Sequence, residues 1–342
     1  GVTLARCQNI AKKIKMKINT QGENKMYRIG IDLGGTNISA GLVSDEGKLL
    51  YKSSIPTTGA SDKQLTELMA KFCLQIAKKC DISVNQIKSI GIGCPGVCDD
   101  ENGVLLYTVN LPFRNTPIAE IFSKFIDAPV HLANDANCAA LGEVVAGGAK
   151  GYKTSVTLTL GTGIGGGIII DNKIYTGFNH AAGEVGHITI HANGEPCGCG
   201  RKGCFEAYAS ASALIRESRR AFKKHPESLI TQLCDGDINK INAKTPFDAK
   251  RQGDKIGTKI VDKYICDLGE GVINYINIFQ PEIILLGGGV SKEGEYSLTP
   301  LREYVFKYSY GHDFLPRTKI ECAILGNDAG IIGAALLHSN LK

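Results

Sequence analysis

The segment Cys197-Gly-Cys199-Gly-Arg-Lys-Gly-Cys204-Phe-Glu206 places three thiols within eight residues, and His187 lies ten residues upstream of the first. Thiolate and imidazole are the ligands that tetrahedral zinc favours, and three cysteines with one histidine form a common closed structural set. The interleaved glycines let so short a loop fold around an ion. The pattern therefore predicts a structural Zn2+ held by Cys197, Cys199, Cys204 and one histidine. His187 and His191 both qualify, because His187-Ile-Thr-Ile-His191 reads as a strand and alternation puts both imidazoles on one face. A disulfide is the competing use of these thiols, but Cys197 and Cys199 are too close in the chain for easy mutual bridging.

Two glycine-rich turns carry a second chemistry. Asp32-Leu-Gly34-Gly35-Thr36-Asn37 and Gly161-Thr162-Gly163-Ile-Gly165-Gly-Gly167 each sit between strand-like segments. Such turns offer backbone amides to an anion, and a pair of them could grip a nucleotide's phosphates. The second matches G-x-G-x-x-G, yet a dinucleotide turn must open a helix, and here Ile168-Ile-Ile170 continues as strand. No G-x-x-x-x-G-K-[ST] occurs either. Asp32 ends its strand, where a carboxylate suits a water-bridged Mg2+. A third run, Gly287-Gly288-Gly289, follows the apolar strand Glu282–Leu286.

Asn134-Asp135 follows the apolar strand Val130–Ala133 and precedes a helix at Ala136–Val145. That position suits a helix cap. Beside phosphate turns, Asp135 is equally a candidate general base. Glu184 and Glu206 flank the metal loop and read either as surface acids or as ligands for sugar hydroxyls.

The elements that must position these groups repeat. Strands at 27–32, 38–43 and 49–54 surround the first turn. A helical period covers 61–80, with a strand at 87–92 and a helix at 116–125. The second half restarts with strands at 155–160, 168–170 and 173–175. Helices follow at 210–222 and 256–278, then the 282–286 strand and a small-residue helix at 329–337. Two halves that each begin strand–turn–strand suggest an internal duplication of mixed α/β sheets with a cleft between the lobes. The expected division is an extension at 1–25, a first lobe at 26–133, and a second at 134–328 that carries the zinc loop. The helix at about 329–341 would return to the first lobe.

Composition narrows the classes. The chain has 342 residues, and a net charge of +5 is spread without a basic stripe, which argues against nucleic acid. No apolar run reaches the ~20 residues of a membrane span. Twelve cysteines, nine of them outside the metal loop at no regular spacing, read as reduced thiols of a cytoplasmic chain. Ala11-Lys-Lys-Ile-Lys-Met-Lys-Ile18 is basic and weakly amphipathic, and reads as part of the extension.

Together these segments resemble the ROK family of repressors and sugar kinases, within the actin/hexokinase-like (ribonuclease H-like) ATPase superfamily. The likeness covers about residues 26–340. It rests on Asp32–Asn37, on Leu160–Gly167, on Glu184-Val-Gly-His187 with the cysteine cluster and Glu206, and on Gly287-Gly-Gly-Val-Ser291. The resemblance implies the two-lobed fold and ATP-dependent phosphorylation of a hexose at its 6-hydroxyl. Asn110, Asn134, Asp135, Glu184, His187 and Glu206 would hold the sugar, with Asp135 as the base. The glycine runs and Mg2+ would hold ATP, with Gly287–Gly289 against the adenosine. The histidine ligand of zinc becomes His187, and the protein becomes a homodimer or larger homo-oligomer. Residues 1–25 are too few for a repressor's DNA-binding domain. Val109-Asn-Leu-Pro-Phe113 and Cys204–Ser212 look most like the glucose-phosphorylating members. The alternatives are a kinase for N-acetylmannosamine, N-acetylglucosamine, allose or fructose, or a sugar sensor without turnover.

Overall fold

The computed structural model describes residues 26–59 and 61–340. The expected extension at 1–25, with its basic segment, lies outside the described residues. Along the chain come β1 (Tyr27–Leu33), β2 (Asn37–Val43), β3 (Leu49–Pro56), α1 (Asp62–Cys80) and β4 (Ile87–Cys94). Next are β5 (Gly96–Asp99), β6 (Val104–Thr108), β7 (Arg114–Thr116), α2 (Ile118–Ser123), β8 (Val130–Asn134) and α3 (Asp135–Ala146). A second series has β9 (Ser155–Leu160), β10 (Ile164–Ile170), β11 (Lys173–Ile174), α4 (Glu206–Ala209) and α5 (Ala211–Lys224). It continues with α6 (Leu229–Leu233), α7 (Thr245–Arg251), α8 (Lys255–Phe279), β12 (Ile283–Gly287), α9 (Glu295–Tyr308) and β13 (Lys319–Cys322). The chain ends in α10 (Ala329–Ala335) and α11 (Leu337–Asn340).

Two five-stranded sheets have the orders β3-β2-β1-β4-β8 and β11-β10-β9-β12-β13. Numbered within each half, both read 3-2-1-4-5, so the strand order repeats the duplication seen in the sequence. In the first sheet β1 pairs antiparallel with β2 and parallel with β4, and β4 runs parallel to β8. In the second, β12 runs parallel to both β9 and β13. Parallel central strands are covered on both faces, which explains apolar runs such as Tyr27–Leu33 and Ile283–Gly287 in place of strict alternation.

Contacts divide the chain into two compact units. The first runs to Gly151 and takes back Ile169–Ala182 and the chain from Leu325; the second holds Tyr152–Ile168 and Gly183–Ile324. The core of the first unit packs α1 on the first sheet, with Leu65, Met69, Phe72 and Ile76 buried at helical spacing. Ser61 caps α1 by accepting from the Gln64 amide, and Asp81 ends it in the left-handed region. The expected boundary after residue 133 is displaced to Gly151, because α3 packs closely along α10. A Cβ on Gly333 would lie 1.7 Å from the Cys138 carbonyl oxygen, so the two backbones approach where only glycine fits. The buried Glu143 of α3 also accepts from the amides of Gly148 and Leu325, 2.8 and 2.9 Å away.

Other local expectations are corrected. The 187–191 segment is not a strand: Val185–His187 is a 3-10 turn, and only Thr189 makes a bridge, to Cys204. The second glycine turn is shorter than read, since β10 starts at Ile164 and Gly165 lies inside it. Thr116 belongs to a strand, and α2 covers only Ile118–Ser123. The 329–337 helix breaks at Leu336. Among the described residues no helix is long and apolar enough to cross a membrane.

Candidate active site and metal centre

In the first unit, β8 delivers Asn134 and Asp135 to the start of α3. Asn134 is the cap: its Oδ1 accepts from the amides of Ala136 and Asn137 at 2.9 and 3.3 Å, and its Nδ2 donates to the Gly96 carbonyl at 3.3 Å. Asp135 therefore occupies the first helical position, with Oδ1 2.8 Å from the Ala136 amide. Asn110 is exposed on the bend between β6 and β7. Arg114 holds the base of that bend by donating to the Thr108 and Phe113 carbonyls, each at 2.6 Å.

The first glycine turn closes through the Gly34 amide on the Asn37 carbonyl at 3.0 Å. Thr57, just past β3, ties it from outside: its hydroxyl donates to the Gly34 carbonyl at 2.7 Å and its amide to the Thr36 carbonyl at 2.8 Å. Asp32 lies at the end of β1 beneath the turn. Burial pushes its carboxyl above the ordinary aspartate range, and Lys52 opposes that shift.

The second unit holds the other groups. Cys197 Sγ lies 3.6 Å from His187 Nδ1, and Cys199 Sγ lies 3.6 Å from Cys204 Sγ. All four ligand atoms fall within 4.8 Å of one another. A disulfide would need sulfurs about 2.05 Å apart. A tetrahedral ion with bonds of about 2.3 Å to sulfur and 2.0 Å to nitrogen instead spaces its ligands by about 3.5–3.8 Å. Burial pushes the Cys197 thiol up to about 12 and raises that of Cys204 as well. A bound cation would reverse that. The donor set fits a tetrahedral metal ion.

His191, the competing histidine, is drawn elsewhere. Its Nε2 meets Asp267 Oδ1 on α8 at 2.8 Å, and its ring stands edge-on to Tyr208. His187 is left with Nδ1 in the cluster and Nε2 3.9 Å from Glu184 Oε2.

Glu206 joins the metal cluster to the second glycine turn. Its Oε2 accepts from the Ile164 amide at 2.9 Å, and the Cys197 thiol donates to its Oε1 at 3.6 Å. The turn is also fixed by the Ala211 amide on the Gly161 carbonyl at 2.9 Å and the Ser212 hydroxyl on the Thr162 carbonyl at 2.7 Å. The third glycine run ends β12. Gly288 has φ +86°, and a Cβ there would lie 2.4 Å from the Leu160 carbonyl oxygen. Beside Gly289 opens a cavity of about 430 Å3, with Phe247, Asp248 and Arg251 among its lining residues.

The structure thus groups Asn134 with Asp135, Asp32 with the first turn, and Glu206 with the metal cluster and the second turn. Sequence reasoning missed Asp267, Tyr208 and Arg201 as supports of the metal loop. Arg201 donates to the Thr189 hydroxyl at 2.8 Å and to the His187 carbonyl at 3.3 Å. Its place inside the cysteine cluster was a usable signal. Asp267 lies 76 residues from His191, and nothing local marks it.

Duplicated sheets with a glycine turn in each half, followed by a Cys/His cluster, define an actin/hexokinase-like α/β protein with a loop whose side chains could hold a metal ion. The ROK family model matches residues 28–340, and the chain belongs to the ROK family. It is 40% identical to a glucokinase of Thermotoga maritima over 91% of this chain and 96% of that one. It is 35% identical to a glucokinase of Streptomyces coelicolor over 90% and 96%. Among solved structures it is similar to a ROK family glucokinase from Streptomyces griseus in complex with glucose and AMPPNP. That match has a TM-score of 0.74 and 34% identity, and covers 91% of this chain and 98% of that one.

Proposed function

We propose that this chain is an ATP-dependent hexose kinase that converts glucose to glucose 6-phosphate. The observation that carries the reading is Asp135 at the first position of α3, in a chain 40% identical over nearly its whole length to a glucokinase. The sugar is held by Asn110, Asn134 and Asp135 together with Glu184, His187 and Glu206. Asp135 takes the proton of the 6-hydroxyl, a role that requires only hydrogen-bond reach and an ionised carboxylate at neutral pH. The 6-oxygen then bonds to the γ-phosphorus while the bond to the bridging oxygen breaks, and ADP leaves with that electron pair.

Amides and side chains of Gly34, Gly35, Thr36 and Asn37 and of Gly161, Thr162, Gly163 and Gly165 orient the phosphates. Gly287, Gly288 and Gly289, with the neighbouring cavity, receive the adenosine. Asp32 is the carboxylate that would hold, through water, the Mg2+ carried with ATP, and that ion would neutralise charge on the phosphoryl oxygens. Phosphoryl transfer is largely positioning and electrostatics, which suits so few parts. Zn2+ is the ion that His187, Cys197, Cys199 and Cys204 would hold; three thiolates and an imidazole are its usual structural set. Bound through Nδ1, His187 presents Nε2 to a sugar hydroxyl.

Eleven free cysteines among the described residues suit a reducing cytoplasm. A homodimer or larger assembly is the expected state, and sedimentation tests it. The test of function is ADP release with ATP and Mg2+ across glucose, mannose, N-acetylmannosamine, N-acetylglucosamine, allose and fructose. Highest kcat/KM for glucose is expected. Preference for another sugar moves only the substrate assignment. Sugar binding without turnover in metal-replete protein would replace the kinase by a sensor.

A further inference from the structure

In the second unit, α5 and α8 flank a cavity of about 580 Å3, within the usual range of about 300–1,000 Å3 for small-molecule sites. Leu214, Ala221, Ile256 and Ile260 give it an apolar lining, and Glu195 and Tyr208 of the metal-loop region also border it. Its three carboxylates are all engaged. Glu195 receives both Arg220 nitrogens at 2.6 and 3.0 Å, Glu217 receives Arg216 at 2.9 Å, and Asp267 receives Lys263 at 2.6 Å beside His191. Lys224 on α5 and Lys259 on α8 remain, each without an ion-pair partner among the described residues. The buried hydroxyl of Tyr264, another lining residue, also has no hydrogen-bond partner. The apolar wall is therefore bordered by two exposed lysines that have no ion-pair partner among the described residues.

We propose that this cavity binds an organic anion with a compact apolar body and a carboxylate or phosphate head, and that the metal loop responds to its occupancy. The head group binds Lys224 and Lys259 and competes with Glu195 for Arg220. Glu195 lies two residues before Cys197, and its amide donates to the Tyr208 hydroxyl at 2.6 Å. Release of Arg220 frees that end of the loop, so the anion weakens sugar binding. Reciprocity requires sugar to weaken the anion by the same factor. This second clause rests on the sugar-kinase reading; the binding site does not.

The test is calorimetry on the full chain with AMPPNP saturating, using phenyl phosphate, benzoate, inorganic phosphate and benzyl alcohol as probes. Phenyl phosphate or benzoate is expected to bind, inorganic phosphate more weakly, and benzyl alcohol not at all. The double variant Lys224→Gln/Lys259→Gln should lose about tenfold or more in affinity, as expected for two charge-assisted contacts, with unchanged melting temperature. Absence of binding up to about 10 mM, or equal affinity in the double variant, overturns the site. Saturating probe should raise the glucose KM severalfold; an unchanged KM overturns the coupling and leaves the site to the calorimetry.

Discussion

The two glycine turns occupy the same place in sheets of the same strand order, yet they are held by different parts of the chain. The first is tied by Thr57 at the end of its own sheet. The second is tied by Glu206, Ala211 and Ser212, the residues that follow the metal loop. The difference teaches that duplication preserved the turn and not its support. The first turn is a local device. The second inherits its geometry from the loop that gathers His187 and three cysteines, so the Cys/His cluster, Glu206 and the second turn form one hydrogen-bonded block.

The largest effect should come from Asp135, the proposed base. Asp135→Asn keeps the helix start, because Asn134 supplies the cap, and removes only the proposed base. A fall in kcat of about 10^2–10^4 is expected, with glucose affinity nearly unchanged by calorimetry. Retained turnover would take Asp135 out of the base role.

Next is the metal. Cys204 is fully buried, so Cys204→Ser should abolish metal binding, lower the melting temperature and raise the glucose KM by about 10- to 100-fold, the scale seen when metal sites lose their supports. Because Glu206 reaches both the cluster and the second turn, the KM for ATP should rise too. A variant that loses metal but keeps its ATP KM would show that the second turn stands alone, like the first.

Much of this was legible in the sequence. Cysteine spacing marked the cluster, glycine runs marked the turns, and apolar runs marked the central strands. What escaped was long-range or conditional. Spacing alone left His187 and His191 open and the family resemblance pointed to His187, but the physical reason, His191 drawn to Asp267 on α8, lay far along the chain. The small sheet β5-β6-β7 escaped because its strands are three to five residues long, too short for periodicity to register. The boundary at Gly151 escaped because α3 is assigned by its packing on α10, which lies almost 200 residues further along the chain.

A paired substitution sharpens the comparison directly. A Cβ on Gly35 would meet nothing within 4 Å, whereas one on Gly163 would lie 2.2 Å from Glu206 Oε2. Gly35→Ala should leave stability within about 0.5 kcal/mol of the parent and raise only the ATP KM, by obstructing the phosphate. Gly163→Ala should displace Glu206 and cost about 1–3 kcal/mol, the price of forced repacking, with losses in ATP and glucose KM together. Equal behaviour of the two variants would erase the distinction between the turns.

The smallest effect concerns the carboxylate beneath the first turn. Burial raises the Asp32 pKa above its unfolded value, so the folded state binds the proton more tightly than the unfolded chain. That contribution to stability is complete below the unfolded value near 3.9 and is lost as pH rises through the folded pKa. At pH 7 the ionised group therefore opposes folding. Asp32→Asn removes the charge at similar volume and should raise the melting temperature at pH 7. The gain should shrink as pH falls towards 4, as followed by thermal denaturation across that range. A gain independent of pH would mean that packing, and not ionisation, separates the two side chains. A loss of stability at pH 7 would mean that the Lys52 field outweighs burial, leaving the first turn supported by charge as the second is supported by Glu206.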